Sequence, residues 1–293
     1  MKVTIIFFSP CGSTKKVAGF IEDEFLRSGW EVQSLNMTRD NDLFPDLNFT
    51  KFISRIEKHD LLLVGGPIYI DHLHYNVLDL IRNLPKADDD GFSSDAGVFT
   101  TFGKITPGVG APEAAVAFSE GGRQTWAALE VDSEHCISRN IDYNIGAELP
   151  GEEVVGLVQD FVKHMVELVE GEERPEFDIT SQLTKRFDEF PQLRDEKWVT
   201  DNSFPDIQFN YDLCGKCYMC VEGCPVNYLI VDSEDGYPRT LDNDICVHCT
   251  NCLFTCPTGA VVMDLYNKKP FFVKQLQDQN LKPDGPSISK LIK

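Results

Sequence analysis

Eight of the ten cysteines in this 293-residue chain crowd between Cys214 and Cys256, and their spacing constrains the fold more than any other feature. Cys214, Cys217, Cys220 and Cys224, followed by Pro225, read C-x2-C-x2-C-x3-C-P. Cys246, Cys249, Cys252 and Cys256, followed by Pro257, repeat the run at an offset of 32 residues. Three closely spaced thiolates wrap one face of a cubane, so the fourth ligand has to arrive from elsewhere in the fold. In two-cluster proteins of this pattern the fourth cysteine of each run ligates the other cluster. The expected ligands are Cys214, Cys217, Cys220 and Cys256 for cluster one, and Cys246, Cys249, Cys252 and Cys224 for cluster two, both 4Fe–4S clusters. Structural zinc also uses Cys-x-x-Cys pairs, but the in-step third thiolate and the trailing proline of each run fit it poorly. Gly215, Gly223 and Gly259 suit close backbone approach, which aims amide N–H groups at cluster sulfurs and raises the reduction potential. His248 reads as a surface side chain, and Cys11 and Cys136, outside both runs, as ordinary thiols.

A disulfide scaffold belongs to small exported domains, and nothing else here suggests export. The chain opens on a short apolar run that leads into a Gly/Ser/Thr loop rather than a cleavage site, so a cytoplasmic location is expected. No stretch reaches the roughly 18 apolar residues of a membrane span, which predicts no membrane insertion. The net charge of −20, from 27 basic and 47 acidic residues, would be repelled by a phosphate backbone and argues against nucleic-acid partners. An acidic body of this kind can steer association with a basic face on a redox partner protein, or simply keep the chain soluble.

The first 170 residues alternate strand and helix signals, the pattern of a parallel α/β sheet. Strands are expected at Val3–Phe8, Glu31–Leu35, Asp60–Val64 (stopped by Gly65-Gly66-Pro67), Ala96–Thr101 and Gln124–Val131. Helices are expected at Ser13–Arg27, Leu73–Asn83, Pro112–Glu120 and Glu152–Val169, the last with Val155, Val158, Phe161, Val162, Met165 and Leu168 at helical spacing. Residues 171–206 are charged, weakly periodic and interrupted by Pro175, Pro191 and Pro205, and read as a linker. The cysteine domain follows at 207–266. The basic tail 267–293 carries no readable motif.

Three loops leave the same sheet edge. The first, Ser9-Pro10-Cys11-Gly12-Ser13-Thr14, opens a helix, where hydroxyls and free N–H groups make a phosphate cradle. The second follows strand three from Gly65 to Ile70, and the third follows strand four from Thr101 to Pro107. Tyr69 and Phe102 offer aromatic faces for a flat ring. The segments SPCGSTKKVA and GGPIYIDHL resemble flavodoxin-type FMN loops, and with the two cysteine runs the whole resembles the flavodoxin–ferredoxin fusion proteins found mainly in anaerobes. The resemblance implies a flavodoxin-like doubly wound five-stranded parallel sheet in the order 2-1-3-4-5, joined to a small α+β two-cluster ferredoxin domain. It implies that Ser9, Cys11, Gly12, Ser13 and Thr14 hold the FMN phosphate, while Gly66, Pro67, Tyr69, Phe102 and Gly103 border the ring. The family loop usually reads Ser-Gly-Thr-Gly-Asn-Thr; here Pro10, Cys11 and Ser13 replace Gly, Thr and Asn, which removes one N–H donor and weakens another polar group.

The function this implies is electron relay between two 4Fe–4S clusters, FMN and a redox partner protein, with no residue needed as general acid or base. Two alternatives stand beside it: a flavin-dependent reductase of a quinone or nitro compound, and an FMN-free docking module fused to a ferredoxin. No dinucleotide fingerprint is visible. His72 and His74 beside Asp71 suit a solvent or flavin-edge position better than a metal pair, and Asp88-Asp89-Asp90-Gly91 reads as a solvated turn.

Overall fold

The computed structural model describes residues 1–87, 89, 91–171, 179–193 and 195–293. Asp88 and Asp90 of the acidic turn, and residues 172–178 and 194 of the connecting segment, lie outside the described residues. Strand β1 (Lys2–Phe7) runs parallel between β2 (Glu31–Asn36) and β3 (Leu61–Tyr69). Strands β4 (Asp95–Phe102) and β5 (Gln124–Asp132) extend the sheet, still parallel, beyond β3. The order β2-β1-β3-β4-β5 is the flavodoxin-like doubly wound arrangement.

Alternation along β1 feeds two cores at once. Val3, Ile5 and Phe7 pack with Ile21 and Phe25 of α1 (Ser13–Arg27) and Phe161 and Met165 of α4 (Val155–Glu170). Ile6 and Phe8 face the other side, with Val77 and Ile81 of α2 (Tyr75–Asn83) and Ala114 and Phe118 of α3 (Gly110–Glu120). The strand order reverses between β1 and β3, so the crevice beyond their carboxyl ends is the switch point where open α/β sheets take ligands.

Two stretches differ from the sequence expectation. Strand β3 does not stop at Gly65-Gly66-Pro67 but runs through it, with the three residues paired to Phe99, Thr100 and Thr101. Glycine is needed there for room: a Cβ on Gly65 would sit 2.2 Å from the Phe99 ring. The C-terminal segment forms helix α5 (Lys268–Asp278) and then strand β6 (Lys290–Ile292), which adds antiparallel to β5 as a further strand of the sheet.

The cysteine-rich segment is built from two short antiparallel pairs, Gln208–Phe209 with Val261–Val262 and Leu229–Val231 with Pro238–Thr240. It packs onto the sheet domain through one continuous apolar cluster that joins Val226, Leu229 and Val247 to Met37, Leu43 and Phe44. Polar ties reinforce that junction: the Arg39 N–H donates to the Pro225 carbonyl at 2.7 Å, and its guanidinium donates to the Val221 carbonyl at 2.8 Å. Among the described residues no helix is long and apolar enough to cross a membrane.

Candidate functional site

The sequence repeat is also a structural one. Lys216 and Tyr218 in the first run, and His248 and Thr250 at the matching places in the second, all have left-handed backbones, with φ between 47° and 60°. Such turns fold each Cys-x-x-Cys loop inward around its thiols. After each fourth cysteine an amide closes on the sulfur: Tyr228 N–H donates to Cys224 Sγ and Ala260 N–H to Cys256 Sγ, both at 3.2 Å. These bonds do what the glycines were expected to do. Gly259 has φ +67°, whereas Gly223 is right-handed and serves packing, its carbonyl accepting from Asn251 Nδ2 at 2.9 Å.

The thiols of the two runs act on one another electrostatically: Cys256 and Cys214 act on Cys220, Cys249 acts on both Cys246 and Cys224, and Cys252 is influenced by Cys249, Cys246, Cys224 and also Cys220. Burial pushes the Cys246 thiol up to about 12 and raises those of Cys252 and Cys224. Bare thiolates are costly there, and cationic iron offsets that cost. Among the described residues no three His, Cys, Asp or Glu side chains converge on a point where a single ion would sit. A cubane asks for something different, since each thiolate binds its own iron.

A 4Fe–4S dicluster domain model matches residues 213–260, which contain both runs. The chain carries a dicluster domain. No curated protein matches the chain. Among solved structures, the rubredoxin:oxygen oxidoreductase of the anaerobe Desulfovibrio gigas aligns at 17% identity and TM-score 0.42 over 57% of this chain and 36% of its own. The chain thus spans about a third of that protein. A short-chain flavodoxin associated with a non-canonical PDU bacterial microcompartment aligns at 16% identity and TM-score 0.41 over 58% of this chain and 99% of its own. Oxidised flavodoxin 1 from Bacillus cereus gives 18%, 0.39, 57% and 98% for the same quantities. Likenesses this distant carry no weight beside the strand order observed directly.

A cavity of about 860 Å³ opens at the switch point, within the size range of small-molecule and cofactor sites. Of the residues expected around FMN, Ser9, Cys11, Ser13, Thr14, Pro67, Tyr69 and Gly103 line it, and Gly12, Gly66 and Phe102 do not. Gly12 is the left-handed N-cap of α1, at φ +96°. Gly66 gives room to Val77, whose Cγ2 a Cβ would meet at 2.7 Å, and the Phe102 side chain is buried. Ser9 Oγ accepts from the Lys15 N–H at 2.8 Å, so the first turn of α1 leaves its Ser13 and Thr14 amides for a ligand. The Thr14 hydroxyl is tied to the Thr101 hydroxyl at 2.8 Å.

The far wall of the cavity is not legible in the loops of the sheet. It comes from Glu134, His135 and Cys136 after β5, from Phe204 and His248, and from Phe271 and Phe272 of α5. His248 is therefore not a surface residue: the connecting segment covers it, its ring lying beside Phe204 with Nε2 3.7 Å from Asp201. The position of the loop after β5 at the carboxyl edge of the sheet was the available signal for Cys136 and its neighbours. His135 Nδ1 and His248 Nδ1 are buried without a hydrogen-bond partner among the described residues, and both residues border the cavity. Two orphaned imidazole nitrogens fit the polar edge of a flat heterocycle, just as the free amides fit a phosphate.

His72 and His74 face neither solvent nor the cavity: both are buried. His72 Nδ1 is 2.6 Å from Glu113 Oε1, and His74 is fully buried against Phe8, Tyr69 and Tyr75, where burial lowers its pKa to about 3. Cys11 and Cys136 lie against each other beside Tyr69. The neighbouring Cys136 and Cys249 side chains, together with burial, push the Cys11 thiol well above its ordinary value, whereas the Cys11 neighbour lowers that of Cys136.

Proposed function

We propose that this chain is an iron–sulfur flavoprotein that carries electrons between two 4Fe–4S clusters, FMN in the switch-point cavity and a redox partner protein. The observation that carries the reading is the junction itself. Cys11 Sγ, on the loop beneath the flavin cavity, lies 3.6 Å from the carbonyl of Cys249, a ligand assigned to cluster two. His248, next in sequence, borders the same cavity. This supports cluster two (Cys246, Cys249, Cys252 and Cys224) as the neighbour of the flavin. Cluster one (Cys214, Cys217, Cys220 and Cys256) would then face a partner, since Cys217 is solvent-exposed.

In this reading the Ser13 and Thr14 amides and Ser9 hold the phosphate, Pro67, Tyr69 and Gly103 border the ring, and His135 and His248 offer nitrogens to its polar edge. The buried Phe272 excludes water from the far side. Bound FMN would supply one- and two-electron exchange beside clusters that each exchange one. Tyr228 and Ala260 amides bonded to the fourth cysteine sulfurs would raise the cluster potentials. The test is a flash that injects one electron into the anaerobic, fully loaded chain. Redistribution between flavin and cluster absorbance at a rate independent of protein concentration is expected; a rate that scales with concentration would contradict the relay.

A second reading has an observation of its own. The cavity reaches past the three loops to Phe190, Phe204, Phe271 and Phe272, four aromatic side chains that suit a flat substrate such as a quinone. Steady turnover of a quinone with an artificial donor would favour that reductase.

A further inference from the structure

Two thiols that neither cysteine run uses meet at the wall of the cavity. Cys11 comes from the loop after β1 and Cys136 from the segment after β5, and both are half-buried and free. Neither is placed by chance contact. Cys11 Sγ lies 3.6 Å from the Cys249 carbonyl, and the Cys136 carbonyl receives the Thr250 hydroxyl at 3.5 Å. Asn140 Nδ2 braces the same corner, 2.9 Å from Thr250 Oγ1 and 3.5 Å from the Cys136 carbonyl. Two consecutive residues of the dicluster domain thus hold the Cys11 thiol and the Cys136 backbone at one corner of the cavity, whose wall both residues line, where a small solute entering it can reach both.

We propose that Cys11 and Cys136 form a redox-active dithiol, closed to a disulfide by exchange with a low-molecular-weight disulfide and reopened by thiols. One cysteine, as thiolate, attacks a sulfur of the small disulfide, whose S–S bond breaks and releases one thiol. The other cysteine then attacks the mixed disulfide at the protein sulfur, the Cys11–Cys136 bond forms, and the second small thiol leaves. Two electrons pass from the cysteine pair to the small disulfide, and the two cysteine protons end on the two released thiols. The bond would tie the phosphate loop to the far wall of the cavity. Only this last consequence, altered FMN retention, rests on the flavin reading above.

The test uses the full chain isolated anaerobically with its clusters. It is incubated with glutathione disulfide, quenched in denaturant with N-ethylmaleimide and mapped by peptide mass, with FMN fluorescence read on the same sample. A Cys11–Cys136 linked peptide that dithiothreitol reopens is expected, and in Cys136→Ser a glutathione adduct on Cys11 without any internal bond. Both thiols fully alkylated after exposure, or Cys11 linked instead to Cys249, would overturn the proposal. Free thiols with FMN bound would sink the dithiol alone, whereas a linked pair in a chain that retains no FMN from anaerobic isolation onward would sink the flavin reading alone.

Discussion

Replacing Lys104 with Met is expected to release the C-terminal segment from the sheet without unfolding the molecule. Lys104 and Asp132 are buried at the carboxyl edge of β4 and β5, with Lys104 Nζ 3.2 Å from Asp132 Oδ2 and 2.8 Å from the Pro286 carbonyl. Asp132 in turn accepts from the Ser287 and Ser289 hydroxyls at 2.5 and 2.6 Å and from the Ile288 N–H at 3.0 Å. Removing the cation leaves a buried carboxylate without its counter-charge, held only by the tail's hydrogen bonds, which costs about 3–5 kcal/mol. At about 1.4 kcal/mol per tenfold, opening of the tail should become easier by about a hundredfold to a few thousandfold. The penalty is relieved locally, because freeing residues 286–292 lets water reach Asp132 while the parallel sheet stays intact. Amide hydrogen exchange at Ile288 and Leu291 should speed up by that factor, with the amides of β1 and β3 unaffected. The double variant Lys104→Met with Asp132→Asn should recover much of the loss, since a neutral amide needs no cation. Unchanged protection at Ile288 and Leu291 in Lys104→Met would refute the reasoning.

The same carboxyl gives the tail a pH dependence: burial pushes Asp132 up, but the Ser287 and Ser289 hydroxyls, the Ile288 N–H and Lys104 outweigh burial and hold it below the usual carboxylate range. A depressed folded pKa stabilises the tail fully above the unfolded value of about 3.9 and loses that contribution as pH falls through the folded value. Pepsin cleavage within α5 should therefore accelerate only below about pH 3.9; cleavage independent of pH across that window, after correction for pepsin's own activity, would count against the latch. For the clusters, Cys224→Ser and Cys249→Ser should damage the same cluster and give matching magnetic resonance spectra, while Cys256→Ser should match Cys214→Ser. Pairing of Cys224→Ser with Cys214→Ser would refute the crossed assignment.

How much of this is legible in the chain follows from the range of each signal. The apolar run of β1 and the helical spacing of α4 are local: β1 falls within a residue of its expected position, and α4 ends within a residue of its own but starts three residues later, after a 3-10 turn over Glu152–Val154. The cysteine runs carry their own register, so the repeat is legible from spacing alone, and the crossed sharing of the fourth cysteines is left to the serine variants above. Strand β3 misleads because Gly65-Gly66-Pro67 looks like a terminator, yet the glycines are there to admit Phe99 and Val77. Strand β6 is invisible for another reason: three residues of a basic tail say nothing until Asp132 and Glu130 are seen waiting for Ser287, Ser289 and Lys290. Cys11 and Cys136 read as ordinary thiols because they lie 125 residues apart, and only the folded sheet sets both at the wall of one cavity.

The most direct measurement is cofactor analysis of the full chain kept free of oxygen from lysis onward. About eight iron and eight sulfide per chain, with about one FMN, are predicted. Zinc in place of iron, or clusters with no flavin after reconstitution with FMN, would contradict the account.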